Sequence, residues 1–159
     1  MRTKRTQKGF SLIELLIVVA IILIIAAIAI PNLLRSRMAA NEASAVGSLR
    51  TLNTASVQYS TTYGIGFPLI IGDLGPATPA TSAAADLIDS VLASGTKSGY
   101  VFVLTGVAGT GGTTDTYTIT ATPSTVGTTG QRMFFTDQTG VIRQDPTGAG
   151  ADATSTPIS

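Results

Sequence analysis

From Leu15 to Ile30 the chain reads LLIVVAIILIIAAIAI, without one polar side chain. Extended back to Phe10 and interrupted only by Ser11 and Glu14, this run spans roughly 30 Å as a helix at about 1.5 Å per residue, the thickness of a bilayer's hydrocarbon core. A helix apolar on every side needs more protein around it than a chain of 159 residues supplies. The segment is therefore predicted to cross a membrane.

Charge sets its direction. Four of the ten basic residues (Arg2, Lys4, Arg5 and Lys8) precede Gly9, with no acid among them. A basic flank stays cytoplasmic, so everything after Ile30 is expected outside. Ordinary signal-peptide cleavage would call for a shorter apolar stretch of about 7–15 residues and then a small-residue site. The small residues at Ala27 and Ala29 run straight into Ile30-Pro31, a poor context for that cut.

The unusual feature lies ahead of the apolar run. Lys8-Gly9-Phe10-Ser11-Leu12-Ile13-Glu14 places a flexible glycine before the membrane and a carboxylate one turn inside it. Glycine's conformational freedom offers a membrane peptidase an extended bond between Gly9 and Phe10. Cutting there removes all the leader's charge, gives Phe10 a new α-amino group, and leaves six basic side chains against nine acidic ones. Glu14 is unfavourable in the interface without a partner. The ammonium at the start of a neighbouring copy is one such partner, and that pairing would propagate into a helical filament. The alternative is a glutamate that snorkels to the headgroups or sits protonated.

Lys8 to Leu16, the apolar run and Ala29-Ile30-Pro31-Asn32 together resemble the prepilin N-terminus of type IV pilins and type II secretion pseudopilins, over Lys8 to about Arg37. The resemblance implies that a prepilin peptidase cuts after Gly9 and that Phe10 is N-methylated. It also implies that Glu14 serves subunit recruitment and assembly, and that Pro31 marks a stretch where the helix can kink or loosen. The implied partners are identical or related subunits, the prepilin peptidase/methyltransferase, an inner-membrane assembly machinery and membrane lipid. The implied location is the bacterial inner membrane, single-pass with the N-terminus cytoplasmic, then an extracellular or periplasmic filament.

Beyond Pro31 the sequence turns polar but keeps a helical period. Met38, Ala45, Leu49, Leu52, Ser56, Tyr59 and Tyr63 share one face, which predicts a single helix from about Ser11 to Tyr59. Residues 63–81 read as a loop with Phe67, Leu69, Ile70 and Ile71 tucked onto the core. Ser82 is expected to cap a short helix, Ala83–Ser94, ended by Gly95. Its apolar face would comprise Leu87, Ile88, Val91 and Leu92. The period then shifts to two: Tyr100, Phe102 and Leu104 alternate inward, as do Tyr117, Ile119 and Ala121 past a turn at 109–112. Arg132–Phe135 and Val141–Arg143 flank Asp137-Gln138-Thr139-Gly140 as a second hairpin. The fold class is α+β: a long N-terminal transmembrane and stalk helix packed on a small antiparallel β-sheet head of about four strands, as in pilins. The expected divisions are 1–9 leader, 10–31 transmembrane and assembly helix, 32–60 amphipathic helix, 61–145 head and 146–159 flexible tail.

Composition narrows the chemistry. There is no cysteine and no histidine, which removes disulfides, Cys-based zinc sites, Cys nucleophiles and His-dependent triads. A net charge of +1, concentrated in the leader, does not suit nucleic-acid binding. Gly109–Asp115 lacks the Lys-Ser/Thr ending of a phosphate loop. Asp137 and Asp145 are candidate calcium ligands, with an Asx-type turn at Asp137 as the competing reading. Asp86 and Asp89 read as a solvated pair on one helix face. No catalytic residue, cofactor or firm metal site is expected. The chain reads as a structural filament subunit rather than an enzyme. A secretion pseudopilin and a single-pass anchored binding domain are the alternatives, and the missing C-terminal disulfide of many pilins keeps the first of these open.

Overall fold

A computed structural model describes residues 9–109 and 111–158. The basic leader before Gly9, Thr110 in the expected β-turn and Ser159 at the end of the expected tail lie outside the described residues. The chain divides into two compact units, Met1–Ser36 and Arg37–Ser159.

The first helix, α1, runs Leu12–Tyr63, one turn further than the period predicts. Within the first unit its large apolar side chains are all open, from 44% exposed at Val19 to 76% at Leu12. A core helix would bury that surface. This one is long and apolar enough to cross a membrane. Helical structure continues through Pro31, which lacks the N–H that would reach back one turn. Next to it, the Asn32 carboxamide donates to the Ile28 carbonyl at 3.1 Å.

In the second unit, α1 buries Ala45, Leu49, Leu52, Ala55, Ser56 and Tyr59. They recur three and four residues apart, so they form one face, and its apolar members share a core with Tyr100, Phe102, Leu104, Tyr117, Ile119, Ala121 and Phe134. The sheet has six strands in sequence order, each antiparallel to the next: β1 Thr96–Lys97, β2 Tyr100–Ala108, β3 Thr114–Pro123, β4 Met133–Asp137, β5 Arg143–Asp145 and β6 Thr156–Pro157. The inward alternation expected on β2 and β3 holds at every position named above. The fold is α+β, a long N-terminal helix and an antiparallel sheet.

Two strands exceed the expected four, and both are two-residue edges. β1 joins β2 through Ser98–Gly99, at φ +50° and +73°. That is the paired left-handed geometry of a tight hairpin turn. β6 comes from the segment composed like a loose tail and pairs with Arg143 and Gln144. There Ala151 is buried, and Ile158 packs on the core.

The region between α1 and β1 departs most from its sequence reading. A 3-10 helix, Ile71–Leu74, interrupts the expected loop and buries Leu74, whereas Leu69 and Ile70 are exposed. The expected helix over Ala83–Ser94 shrinks to α2, Ser90–Ala93. The amides of Ala85, Asp86, Leu87 and Ile88 are taken by the carbonyls of Asp73, Gly75 and Leu74, at 2.7–3.1 Å. Asp86, at φ +55°, is in a left-handed conformation that a helix excludes. Asp86 and Asp89 are therefore not a pair on one helix face. Asp89 caps α2, accepting from the Leu92 amide at 2.9 Å, and pairs with Lys97 at 3.1 Å. Val91 stays exposed while Ile88 and Leu92 are buried.

Candidate functional site

The N-terminal residues with expected roles gather at the start of α1. Gly9, Phe10 and Ser11 are non-helical and exposed, and the helix begins at Leu12. A Cβ built on Gly9 would have no atom of the described residues within 4 Å. Glu14 stands at the third helical position, where its Oε2 accepts from the Ser11 amide at 2.9 Å. Ser11-Leu12-Ile13-Glu14 is thus a capping-box sequence of the S-x-x-E type, with its glutamate half formed. The free amides and dipole of a helix start favour a carboxylate there. Residue type and spacing carried that signal, which the sequence reading missed.

The two acidic candidates of the head are not brought together. Asp137 ends β4 at the hairpin, whereas Asp145 stands opposite Met133, four residues along β4 from Asp137, or about 13 Å at strand spacing. Each carboxylate is engaged by donors from its own turn. Asp137 Oδ1 accepts from the Thr139 amide at 2.9 Å and from its hydroxyl. Asp145 accepts the amide and hydroxyl of Thr147 and the amides of Ala149 and Gly150, at 2.8–3.0 Å. These donors, the Thr147 amide first, hold the Asp145 carboxyl down to about 2. The converging N–H groups present positive partial charge to the oxygens a cation would need. Among the described residues, no group of three or more Asp or Glu side chains is arranged to hold a metal ion.

An ion pair with a buried carboxylate is the most developed polar feature of the head, and the sequence reading passed it over. Glu42 is 7% exposed on α1, and its carboxylate takes three hydrogen bonds and a further ion-pair contact. Oε1 accepts the Gln131 and Arg132 amides at 2.9 and 3.1 Å. Oε2 accepts from Arg132 Nε at 2.9 Å and lies 2.8 Å from the charged Nη2. Arg132 also donates to Gln144 at 2.8 Å and lies over the Phe134 ring. Burial alone would raise the Glu42 pKa, but the two amides and the guanidinium outweigh it and hold it below its ordinary value. Stepping the buried stripe Ala45–Leu49–Leu52 back by three residues lands on Glu42, so the period marked the position. With Asn41 donating to the Thr129 carbonyl at 2.8 Å, this pair fastens the β3–β4 connection to the helix.

A groove of about 550 Å³ lies between α1 and the β4–β5 turn, lined by Asn53, Val57, Gln58, Tyr117, Gln138 and Thr139 among others, none of them Asp, Glu, Lys or Arg. Burial, then the Asp137 charge, raises the Tyr117 phenol to about 12, so it stays protonated at neutral pH. The groove therefore carries no general acid or base poised near neutrality.

The family described as "Prokaryotic N-terminal methylation motif" matches residues 4–30, over Gly9, Phe10, Glu14 and the apolar run. The chain is type IV pilin-like. This pilin-like chain is 66% identical over 38 residues to the type IV wide pilus major component PilA4 of Thermus thermophilus, covering 24% of this chain and 29% of that one. It is 48% identical over 53 residues to the type IV major pilin protein PilA of Myxococcus xanthus, 33% of this chain and 24% of the relative. It is 41% identical over 90 residues to the type IV major fimbrial protein FimA of Dichelobacter nodosus, 51% of this chain and 58% of the relative. The pilin-like chain thus spans from about a quarter to under three fifths of the length of these curated relatives. No solved structure matches it.

Proposed function

We propose that this chain is the structural subunit of a type IV pilus, made as a precursor, cut between Gly9 and Phe10, N-methylated on Phe10 and polymerised through its apolar helix. The observation that carries this reading is a coincidence of two features. The methylation motif spans residues 4–30, and within it Gly9–Phe10 is an exposed, non-helical bond just ahead of a helical run whose large apolar side chains are exposed. An open, extended peptide is what a peptidase takes. A helix with no covering inside its own chain calls for lipid first and sister helices afterwards.

In this reading residues 1–9 are the cytoplasmic leader, 10–31 the membrane and assembly helix, 32–60 its amphipathic continuation, 61–145 the head and 146–159 the tail. The precursor waits in the bacterial inner membrane with its head outside. It meets the prepilin peptidase/methyltransferase and the assembly machinery there, and joins identical or related subunits in an extracellular filament. Glu14, satisfied by the Ser11 amide of its own chain, takes the new ammonium of a neighbouring Phe10 during assembly. Pro31 lets the helix adjust within the packed filament. The relatives named above are major pilus and fimbrial components, which favours a pilus over a secretion pseudopilus.

Mass spectrometry of the N-terminal peptide from the host's own protein tests the proposal. The expected peptide begins at N-methyl-phenylalanine, and Gly9→Val leaves the leader attached. A wild-type protein that begins at Met1 and stays monomeric would overturn it.

A further inference from the structure

Where the apolar run ends, two cations stand without a counter-charge. Arg35 and Arg37 are the first charged residues after Glu14, and the next acid along the chain is Glu42. Both arginines lie within α1 and are exposed. The ion pairs among the described residues are Lys97–Asp89 and Arg132–Glu42, so Glu42 is engaged and neither arginine has a salt-bridge partner there.

Helix length sets their level. From Leu12, where α1 begins, to Arg35 is roughly 35 Å at about 1.5 Å per residue, which clears a hydrocarbon core of about 30 Å and ends among the phosphates. Two features say what meets them there. Side chains two positions apart on an α-helix point about 200° from each other, so Arg35 and Arg37 reach out on opposite sides. A single docked protein covers one side of a helix, whereas lipid surrounds it. Aromatic interfacial anchors are also missing at this end, since the chain has no tryptophan and no tyrosine before Tyr59.

We infer that Arg35 and Arg37 bind the phosphate groups of outer-leaflet phospholipids and act as a stop against inward movement of α1. The inference rests on the reading of α1 as a membrane helix. A planar guanidinium presents paired N–H donors that match two oxygens of one phosphate, and its aliphatic stem lets the charge reach the headgroups from the apolar edge. The stop is one-sided. Drawing an arginine from phosphate into water costs little, but drawing it into hydrocarbon costs much. Arg2, Lys4, Arg5 and Lys8 oppose outward movement in the same way from the other face. Cutting after Gly9 removes only that second barrier, leaving the helix free to rise outward and barred from slipping back. The neighbours of the pair would not replace it, because Ser36, Met38, Ala39 and Ala40 carry no charge.

Solid-state NMR on the cut, full-length protein reads the contact. The guanidinium carbons are labelled with carbon-13, in vesicles of phosphatidylethanolamine and phosphatidylglycerol and in phosphate-free buffer, so lipid is the only source of phosphorus. Dephasing of part of the guanidinium signal by phosphorus is expected in the wild type and is lost in Arg35→Gln/Arg37→Gln. A spin label on Ala39→Cys, the sole cysteine in such a chain, reports depth. With both arginines replaced by Gln it becomes more accessible to oxygen and less to a water-soluble nickel chelate, whereas Arg35→Lys/Arg37→Lys leaves it in place. A wild type without dephasing, dephasing that survives in the Gln variant, or a label that does not move overturns the inference. Alkaline extraction of the same vesicles separates this from the reading beneath it. A chain retained in the bilayer but not dephased refutes the phosphate contact alone, and one that is washed out refutes the membrane helix with it.

Discussion

Replacing Glu42 tests whether the head is fastened as described. In Glu42→Ala, the amides of Gln131 and Arg132 lose their acceptor, at up to about 1–3 kcal/mol each, the cost of a buried donor left unpaired. The guanidinium is 40% exposed and keeps Gln144, so its charge is rehydrated. The range of about 3–5 kcal/mol for breaking a fully buried pair is therefore an upper bound. A loss of about 3 kcal/mol is expected. Glu42→Gln retains an acceptor oxygen and the side chain's volume but not the charge, so it should cost about 1–2 kcal/mol. The sign of the pH effect follows from the depressed pKa. A carboxyl held below its ordinary 4.5 contributes its full stability above that value and loses it as pH falls through the folded value. Wild type should therefore weaken on acidification below 4.5 more steeply than Glu42→Gln. Asp145, Asp89 and Asp152 are shifted the same way and leave a residual slope in the variant. The assay is urea unfolding of the full chain in mild detergent, followed by tyrosine emission because the chain has no tryptophan. A Glu42→Ala midpoint equivalent to less than about 0.5 kcal/mol of change, or equal acid slopes in wild type and Glu42→Gln, would refute the reasoning.

Glu14→Val should leave membrane insertion and the cut after Gly9 intact but abolish filament yield in sheared-pilus preparations; normal yield would count against the assembly pairing. A Cβ at Gly130 would overlap the Tyr100 phenol, which is fully buried and donates to the Arg132 carbonyl at 2.8 Å. Gly130→Ala should cost about 1–3 kcal/mol by overpacking, with part of the loss recovered in Gly130→Ala/Tyr100→Phe, as unfolding midpoints would report. Asp145→Ala should speed hydrogen exchange at Thr147, Ala149 and Gly150, whose amides its carboxylate binds. With its carboxyl held near 2, the wild-type turn should stay protected at about pH 3, losing protection only on stronger acidification.

Where one short-range pattern dominated, the sequence was a sufficient guide. A run with no polar side chain can form a stable structure only as a helix in an apolar setting. Period-two alternation on β2 and β3 fixes which side chains face inward, whatever surrounds them. The 3–4 spacing from Ala45 to Tyr59 is local in the same sense, and so is the capping box at Ser11, which was present but unread. The helix expected over 83–94 failed for the opposite reason. Its alanines favour helix, but the carbonyls of Asp73, Leu74 and Gly75 compete for the same amides and prevail, and nothing within 83–94 announces them. Glu42 shows both sides. Its place on the buried stripe is a matter of counting, yet burying a carboxylate is tolerable only because Gln131 and Arg132, about ninety residues later, supply three donors and a guanidinium charge. Covalent neighbours and helical or strand period belong to the sequence; partners distant along the chain exist only once it has folded, and they decided which polar groups this head could bury.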